Sequence, residues 1–327
     1  MEEVTVSIII PVFDASNYIE KCVLSCVHQS YRSIEIVLID DGSSDDSLSV
    51  CQKLSATFEN VALISHDKNY GQEKTRTDGL AAAKGEWVLF LDSDDTLENS
   101  CVEKLLSAAL ETKSDIVVFD FDYITNNLRS RVSASIDQKK YTSKEFIQHF
   151  LSDVSWSFIS CIGTKLYNLP FLRKNNLFFE KQYKYNEDGA FALKAIEKAT
   201  SIYYLKESFY NYLIRDSGST QSSYRKDMFC TIKNVHQLLR DILNANNCSS
   251  NVWSLFYLQC VQFIYVCLKN EKTFKDYSSF KSTFYYIRND VAYSELYKYA
   301  RSIKPLKYKF FLFLFRLKWV RALYFIS

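Results

Sequence analysis

The sequence predicts an α/β fold, with a mostly parallel sheet flanked by helices on both faces. Short apolar runs rich in β-branched residues alternate four times with segments whose apolar residues recur at helical spacing. The runs carry few polar residues, as expected for strands that are buried on both faces. In such sheets ligands bind at the carboxyl ends of the strands, so functional residues should gather at that edge.

Each predicted strand of the first half is a short apolar run bounded by turn residues, and the four are residues 4–10, 34–39, 61–65 and 87–91. The segment Pro11-Val-Phe-Asp14 is expected to end the first strand. Between them lie segments with apolar residues three or four apart, which predict helices over 17–29, 47–58 and 75–83.

The second half shows a looser pattern. A strand is predicted over 116–123, and the pattern tightens again at 165–167, 178–180 and 185–191, where a helix follows over 191–196. Beyond about residue 222 the apolar spacing is purely helical, and the predicted helices are 229–244, 252–269 and 274–299. Their many Tyr and Phe residues are interpreted as core rather than as a platform for stacking a ligand.

Length and composition limit the possible classes of protein. The 327 residues exceed one ordinary domain, and a hydrophobic content of 47% is ample for a core. The nine cysteines include no Cys-x-x-Cys pair, which favours buried free thiols in a reducing compartment over a zinc site. The N-terminus shows no charged-then-apolar signal sequence, so we expect the chain in the cytoplasm.

Acidic residues follow two of the predicted strands. Asp92-Ser93-Asp94-Asp95 comes directly after the run 87–91, and Asp40-Asp41 ends the run 34–39. Carboxylates that crowd at a strand end need a positive partner, and a hard divalent ion such as Mg²⁺ or Mn²⁺ prefers oxygen ligands. In extended backbone Asp92 and Asp94 share a face while Asp95 turns aside. The alternative is a solvated turn that caps a helix.

Two common nucleotide-binding motifs are absent from the sequence. No Gly-x-Gly-x-x-Gly follows the first strand and no Gly-x-x-x-x-Gly-Lys-Ser/Thr occurs, which argues against a dinucleotide-dependent dehydrogenase and a P-loop enzyme. Instead the chain has Asn69-Tyr70-Gly71 followed by Arg76. An arginine close to acidic strand ends would brace a carboxylate or grip a phosphate. The alternative is an ordinary exposed helix residue.

Four segments in order resemble the family 2 glycosyltransferases of the GT-A fold. They are residues 6–13, 39–45, 69–76 and 85–95. Members of that family are inverting enzymes that use nucleotide sugars. Any one segment is a weak signal, but four at plausible spacing are a strong one. The likeness covers about two thirds of the chain and implies a GT-A fold with a helical extension at the C-terminus.

The resemblance implies a role for individual positions. Pro11 and Val12 would contact the nucleotide through their backbone, and Phe13, where the family commonly has Tyr, would stack. Asp41 would accept a hydrogen bond from the uracil ring. The remaining implied ligands of the donor are Asn69, Arg76 near the base or diphosphate, Asp92 at the ribose or a metal-bound water, Ser93, and Asp94 as the direct ligand of Mn²⁺ or Mg²⁺.

The pair Glu187-Asp188 resembles the acidic motif in which the second acid is the catalytic base. An acceptor hydroxyl is a poor nucleophile until a carboxylate takes its proton. We therefore expect Asp188 to be the base, with Glu187 as second choice, while the alternative is two acids placed favourably at a helix N-terminus. Residues 210–220, which include Arg215, resemble a closing segment that folds over the diphosphate.

The predicted domains are a catalytic domain over 1–221, with a nucleotide-sugar half (1–115) and an acceptor half (116–221), and a helical extension over 222–303. Residues 304–327 form a basic aromatic tail. No Asp or Glu follows Glu295, whereas eight Lys and Arg do, so the first 295 residues carry −6. The longest apolar run in the tail, 310–315, is too short to span a bilayer.

We expect the tail to dock peripherally on the anionic inner face of the cell membrane. Its helical wheel shows no clean basic face, and packing within the protein is the alternative. Nucleic acid is not expected as a partner, because the acidic main body would repel a phosphate backbone.

The predicted activity is transfer of a hexose or N-acetylhexosamine from a UDP-sugar to a hydroxyl of a lipid-linked glycan, as in the synthesis of surface or capsular polysaccharide. A non-catalytic nucleotide-sugar sensor or membrane scaffold is one alternative. A sugar nucleotidyltransferase is another, but such enzymes usually carry a glycine-rich basic loop after the first strand, unlike residues 11–14.

Overall fold

The computed structural model describes residues 5–126, 128–153, 158, 161–214, 224–290, 293, 296 and 305–326. The chain forms two compact units, Met1–Asp216 and Ser217–Ser327. The first unit contains a sheet flanked by helices, and the second is helical where it is described.

The strands of unit 1 are β1 (Val6–Val12), β2 (Ile34–Asp40), β3 (Val61–Ser65), β4 (Trp87–Phe90), β5 (Thr96–Leu97), β6 (Ile116–Thr125), β7 (Leu128–Val132), β8 (Lys140–Tyr141), β9 (Lys165–Asn168) and β10 (Ile202–Leu213). Its helices are α1 (Ile19–Val27), α2 (Ser47–Thr57), α3 (Gln72–Ala82), α4 (Cys101–Thr112), α5 (Ser143–Asp153), α6 (Leu169–Lys174) and α7 (Glu187–Lys198). Two short 3₁₀ turns, Ile162–Thr164 and Lys181–Tyr183, complete the unit.

The strands form one sheet in the order β3-β2-β1-β4-β9-β6-β10-β5, with β7 beside β6 and β8 beside β10. The pairs β1–β2, β1–β4, β2–β3 and β6–β10 are parallel, while β9 runs antiparallel between β4 and β6. The strands β5, β7 and β8 also pair antiparallel with their neighbours, so the predicted α/β architecture is confirmed with a mixed sheet whose first four strands are parallel. The carboxyl ends of β1, β2 and β4 meet at one edge of this sheet.

The first strand continues two residues beyond its predicted end. Pro11 pairs with Ile39, and Val12 pairs with Asp40. The strand therefore ends within the predicted segment 11–14, and it can include Pro11 for a geometric reason. The carbonyl of Ile9 accepts from the amide of Leu91, directly after β4. Pro11, two residues later, faces the same side of β1. Pairing between β1 and β4 has already stopped at Ile9. The missing N–H of proline therefore costs no ladder hydrogen bond.

The strand β10 was not predicted from the sequence. Its pairing with β6 contains register shifts between Leu205 and Ser208 and between Ser208 and Tyr210. Such bulges break the regular alternation of inward and outward residues on which a prediction of strand depends.

An aromatic cluster fastens α7 to the centre of the sheet. Phe191 of α7 stacks on Phe179 with ring centroids 4.3 Å apart, and both rings meet Phe90, the last residue of β4, edge to face. Tyr167 of β9 contacts Phe90 and Phe191 edge to face as well. Buried aromatic pairs of this kind stabilise by about 0.5–1.5 kcal/mol each beyond the area they bury. The cluster fixes the start of α7 near the end of β4.

Unit 2 contains α8 (Met228–Ala245), α9 (Ser250–Phe274), α10 (Tyr277–Asn289), α11 (Leu306–Arg316) and α12 (Val320–Ile326). The predicted helix over 274–299 begins three residues later than expected, because Asp276 caps α10 by accepting from the amide of Ser279 at 2.8 Å. Of residues 291–300, only 293 and 296 are described.

Helix α9 is the central helix of unit 2. It has 25 residues, and an 18-residue window within it has a mean hydropathy of 1.4, so by length and composition alone it could cross a bilayer. It also buries two polar residues that have partners within the unit: Asn270 bonds the backbone of Arg225, and Glu271 accepts from the hydroxyl of Tyr224. These contacts tie the C-terminal end of α9 to the segment that precedes α8.

Candidate active site

The acidic turn after β4 divides its carboxylates between two directions. Asp95 is buried, and its carboxylate accepts from the hydroxyl of Tyr210 at 2.5 Å and from the amide of Leu213 at 2.8 Å. Asp92 and Asp94 remain partly exposed. The buried Asp95 thus differs from Asp92 and Asp94 in exposure, and its contacts fasten the turn to β10.

Arg76 links the end of β4 to the start of α7. Although it lies on a helix, it is only 1% exposed, so the interpretation as an ordinary exposed residue was wrong. Its Nη2 donates to Asp92 at 3.0 Å, and its Nη1 lies 2.8 Å from Asp188 and 3.5 Å from Glu187. The guanidinium therefore braces three carboxylates from two segments, the turn after β4 and the first turn of α7.

The charge of this cluster is unbalanced. Three carboxylates surround one guanidinium, which leaves two negative charges when all of them are ionised. Burial disfavours the charged guanidinium, but the carboxylates of Asp188, Asp92 and Glu187 raise the pKa of Arg76 above its ordinary value. We conclude that Arg76 stays cationic and that the cluster has capacity for further positive charge.

Asp188 lies in the first turn of α7 at the centre of this cluster. Burial raises the pKa of its carboxyl well above the ordinary value, and Glu187 adds to the rise while Arg76 opposes it. Its Oδ1 accepts no hydrogen bond from any described residue, because the close contact with Arg76 lacks hydrogen-bond alignment. A carboxylate oxygen with a spare lone pair and a raised pKa has the properties of a general base.

A second group of contacts forms at the end of β2. Asp41 is buried and accepts from the amides of Tyr70 at 3.0 Å and Gly71 at 2.8 Å, and from Nδ1 of His66 at 2.7 Å. The Nε2 of His66 lies 3.0 Å from Asp78, which also binds Lys74. Asp41 thus orders the loop before α3, and one of its four lone pairs is left for a ligand.

Asp40 and Asp41 have different roles despite being neighbours. Asp40 folds back onto its own loop and accepts from the hydroxyl and amide of Ser43. Of the other predicted donor residues, Pro11, Val12 and Ser93 are buried, whereas Phe13 and Asn69 are exposed. Phe13 therefore offers a free aromatic ring beside the edge where the predicted nucleotide would bind.

Asp92 and Asp94 are the residues that the sequence predicts as ligands of a metal ion. Among the described residues no group of three or more His, Cys, Asp or Glu side chains is placed to hold an ion. Asp92 and Asp94 alone would supply two carboxylate ligands, and Asp92 is 39% exposed but engaged by Arg76. Two carboxylates beside excess negative charge fit a hard divalent ion whose other ligands come from phosphate oxygens or water.

Sequence reasoning missed three residues. His66 was assigned no role, since its partners Asp41 and Asp78 are distant in sequence. Lys165 is completely buried in β9, where its ammonium donates to the carbonyls of Phe158 and Cys161, and burial lowers its pKa to about 8. Tyr210 was grouped with the closing segment, but it binds Asp95. A lysine in a strand with apolar neighbours was the only signal available for any of them.

The predicted closing segment is only partly described. Residues 215–223, which include Arg215, lie outside the described residues. Its start, Tyr210 to Leu213, belongs to β10 and pairs with β5 through Tyr210 and Asn211.

Known proteins that resemble this chain identify its family. The family model for glycosyl transferase family 2 matches residues 7–167, which include β1 to β4, the acidic turn and Arg76. The chain belongs to glycosyl transferase family 2. It is a glycosyltransferase, and Glu187 and Asp188 lie beyond the matched region.

Several relatives support this assignment. A cholesterol galactosyltransferase of Borreliella burgdorferi is 27% identical over 91% of this chain and 87% of its own length. The glycosyltransferase GlyA of Streptococcus pneumoniae is 31% identical over 73% of this chain, but only 35% of its own length is matched. A poly(ribitol-phosphate) beta-glucosyltransferase of Bacillus spizizenii is 27% identical over 73% of this chain and 36% of its own length.

Solved structures show the same fold. The crystal structure of S. aureus TarS 1–349 in complex with UDP has a TM-score of 0.66 with 20% identity, and the match covers 98% of this chain and 90% of that one. The complex of TarS with UDP-GlcNAc gives a TM-score of 0.65. This family 2 glycosyltransferase therefore has the GT-A fold, as predicted.

Proposed function

We propose that this glycosyltransferase moves one sugar from a UDP-sugar to a hydroxyl of a lipid or lipid-linked glycan, with inversion at the sugar carbon. The observation that carries the proposal is the cluster around Arg76. Its guanidinium contacts Asp92 at the predicted donor site and Asp188, the predicted base. A single displacement needs a base on one side of the sugar and a stabilised leaving group on the other. The guanidinium of Arg76 would fix the distance between the donor site and the base.

The donor side rests on the edge formed by β1, β2 and β4. The exposed ring of Phe13 would stack on the base, and the remaining lone pair of Asp41 would accept from the uracil N–H. The fold relative TarS was crystallised with UDP and with UDP-GlcNAc, which favours a uridine nucleotide. We therefore assign the donor to the UDP-sugars, with a hexose or N-acetylhexosamine as the transferred group.

Asp188 would remove the proton of the acceptor hydroxyl as that oxygen attacks the sugar. Its side chain is 26% exposed, and because Oδ1 is buried beside Arg76 at 2.8 Å, the acceptor hydroxyl would meet the other carboxylate oxygen. Glu187 stays the second choice for the base; its carboxylate is buried and lies farther from the guanidinium. In this mechanism Arg76 positions the base, and release of the proton takes place inside a largely buried cluster.

Asp94 and Asp92 would hold Mn²⁺ or Mg²⁺ together with the diphosphate oxygens. The bound ion would supply Lewis-acid stabilisation of the charge that develops on the departing UDP. The uncompensated negative charge around Arg76 supports this assignment, because a divalent ion would offset it.

The acceptor is proposed from the character of the relatives and of the C-terminal unit. The spirochaetal relative, matched over nearly the whole chain, is named for galactosyl transfer to cholesterol, a membrane lipid. The described tail residues 305–326 carry five Lys and Arg and no acid. We therefore place the enzyme at the inner face of the cell membrane, in assembly of a surface glycan or glycolipid.

The test is metal-dependent release of UDP from a panel of UDP-sugars, with and without a chelator. We expect Asp188→Asn to lower turnover about 10²–10⁴-fold while UDP binding persists. Asp94→Asn should lose the metal dependence, whereas Asp46→Asn, an exposed acid in the loop before α2, should behave as wild type. Binding of UDP without any turnover in the wild-type protein would instead identify a nucleotide-sugar sensor.

A further inference from the structure

Helix α11 presents two opposite apolar faces. One is covered within unit 2, where Phe311 and Phe315 are buried and meet Tyr265 and Phe284 edge to face. The other is open to solvent. We call it the exposed stripe, and its residues, spaced four, three and four apart on one side of the helix, are Leu306, Phe310, Phe313 and Leu317.

A groove of about 460 Å³ begins one residue past the exposed stripe. It lies between α10 and the segment that joins α11 to α12. We call it the basic groove. Its cations are Lys281, Lys318 and Arg321, its aromatic residues are Tyr277, Tyr285 and Trp319, and no Asp or Glu lines it among the described residues.

The turn at Lys318 shapes the basic groove. Lys318 has φ +59°, in the left-handed region, and the chain reverses there before α12 begins at Val320. The adjoining Trp319 is more than half exposed. On the opposite wall, Tyr277, Lys281 and Tyr285 are four residues apart and therefore share one face of α10. The wall from α10 thus presents a cation between two aromatic rings, and the other wall presents Trp319 between two cations in sequence.

Charge decides which partner suits this surface. Residues 305–326 carry five cations and no acid, so a second copy of the chain would bring like charges together. An anionic bilayer provides what each part of the surface requires: acyl chains for the exposed stripe and phosphate groups for the cations. Aromatic side chains such as Trp319 are favoured at the level of the headgroups.

We infer that the basic groove binds the phosphate of an anionic phospholipid headgroup while the exposed stripe inserts into the boundary of the acyl chains. The inference deepens the proposed function, on whose membrane-held acceptor it rests. Its test needs no turnover. A protein that fails to release UDP can still be scored for membrane binding, and the reverse also holds.

The experiment is co-sedimentation of the full chain with vesicles of phosphatidylcholine alone or mixed with phosphatidylglycerol. We expect tighter binding to the anionic vesicles, weakened by salt. Lys281→Gln and Arg321→Gln should each weaken binding to anionic vesicles about fivefold and leave binding to neutral vesicles unchanged. Lys53→Gln, which removes an exposed helix cation from unit 1, is the matched control and should change neither.

The exposed stripe is tested separately. Phe310→Ser and Phe313→Ser should weaken binding to both kinds of vesicle, whereas Leu110→Ser, at an exposed apolar position on α4, should not. Equal binding of the wild-type protein to both vesicle types would overturn the inference. So would vesicle binding that survives the groove and stripe substitutions, or a stable dimer in solution that Phe310→Ser dissociates.

Free phosphate is distinguished from lipid by competition. At constant ionic strength, inorganic phosphate should displace the protein from anionic vesicles no better than chloride does. Specific displacement by phosphate would assign the groove to a soluble phosphate compound and overturn the assignment to lipid. In the same samples, release of UDP from a UDP-sugar without vesicles should be equal in wild type and the groove variants.

Discussion

Arg76 illustrates how one side chain organises the reaction centre. Its buried guanidinium contacts carboxylates from the turn after β4 and from α7, and its long side chain lies near the ring of Phe179, with the guanidinium carbon 5.8 Å from the ring centroid. The three carboxylates and the guanidinium lie close together, so the charge of each group affects the protonation of the others. The pH dependence of turnover is therefore a direct measure of this geometry.

The first prediction concerns that pH dependence. A general base works deprotonated, and burial raises the pKa of Asp188, so turnover should rise with pH through a value above the ordinary carboxyl range of about 4. Glu187→Gln removes a neighbouring negative charge and should move this rise to lower pH. Arg76→Gln removes the opposing cation and should move it to higher pH.

The measurement is the pH profile of kcat/KM for the three proteins. Shifts of opposite sign in the two variants are the signature of a base placed between Glu187 and Arg76. Profiles that rise at the same pH in all three proteins would contradict the assignment of Asp188.

The second prediction concerns His66, which bridges Asp41 and Asp78. Replacing it by Asn removes the support of Asp41, and loss of a hydrogen bond to a charged group costs about 1.5–3 kcal/mol. We expect the Kd for UDP to rise by at least about tenfold with kcat largely unchanged. His28→Asn, at the exposed end of α1, serves as the control. A variant that lowers kcat but binds UDP normally would place His66 outside the nucleotide site.

At the scale of elements, the loops after β1 and β2 and before α3 form one interlocked edge. The carboxylate of Asp14 accepts from the amide of Ser44, and Asp41 holds the loop that leads to Gly71. Gly42 makes the closest of these approaches. It has φ +68°, and a Cβ at this position would lie 2.5 Å from the backbone carbon of Lys68. Only glycine fits there without moving the neighbouring loop.

The third prediction follows from this contact. Gly42→Ala should lower the free energy of unfolding by about 1–3 kcal/mol and weaken UDP binding, because the loop that presents Asp41 must move. Asp46→Ala is the control in the same loop, since its side chain makes no capping hydrogen bond. Denaturant unfolding and UDP titration are the measurements. Unchanged stability in Gly42→Ala would show that the two loops separate readily.

The same edge shows what the sequence can and cannot predict. Helical and strand periodicity located β2 and β3 almost to the residue, and the acidic strand ends directed attention to Asp41 and Asp92. Periodicity contains no information on contacts between distant segments. It therefore missed the burial of Arg76, whose partners lie as far away as α7, and it missed β10, whose bulges break the alternation.

At the scale of the whole molecule, six of the nine cysteines are buried. All nine thiols are free, and only Cys230 is exposed, while Cys161 and Cys248 are partly covered. Burial raises the pKa of Cys26 to about 12 and acts in the same direction on the other buried thiols, which suppresses the reactive thiolate.

The fourth prediction is a thiol count. In the native protein a disulfide reagent should react rapidly with one thiol, and Cys230→Ser should abolish that fast phase. Unfolding in denaturant should make all nine thiols reactive. Fast reaction of three or more thiols in the native protein would contradict the burial described for unit 1 and unit 2.

Because of the register shifts in β10, the number of residues in this strand matters for the acidic turn. Side chains on a strand alternate between faces, so inserting or deleting one residue between Leu205 and Ser208 would turn Tyr210 from Asp95 toward the opposite layer. The acidic turn would lose the hydroxyl that anchors it, although every residue of that turn would be unaltered. Length variation among natural or engineered homologues should accordingly be tolerated poorly here, in a stretch that contributes no residue to the cluster around Arg76.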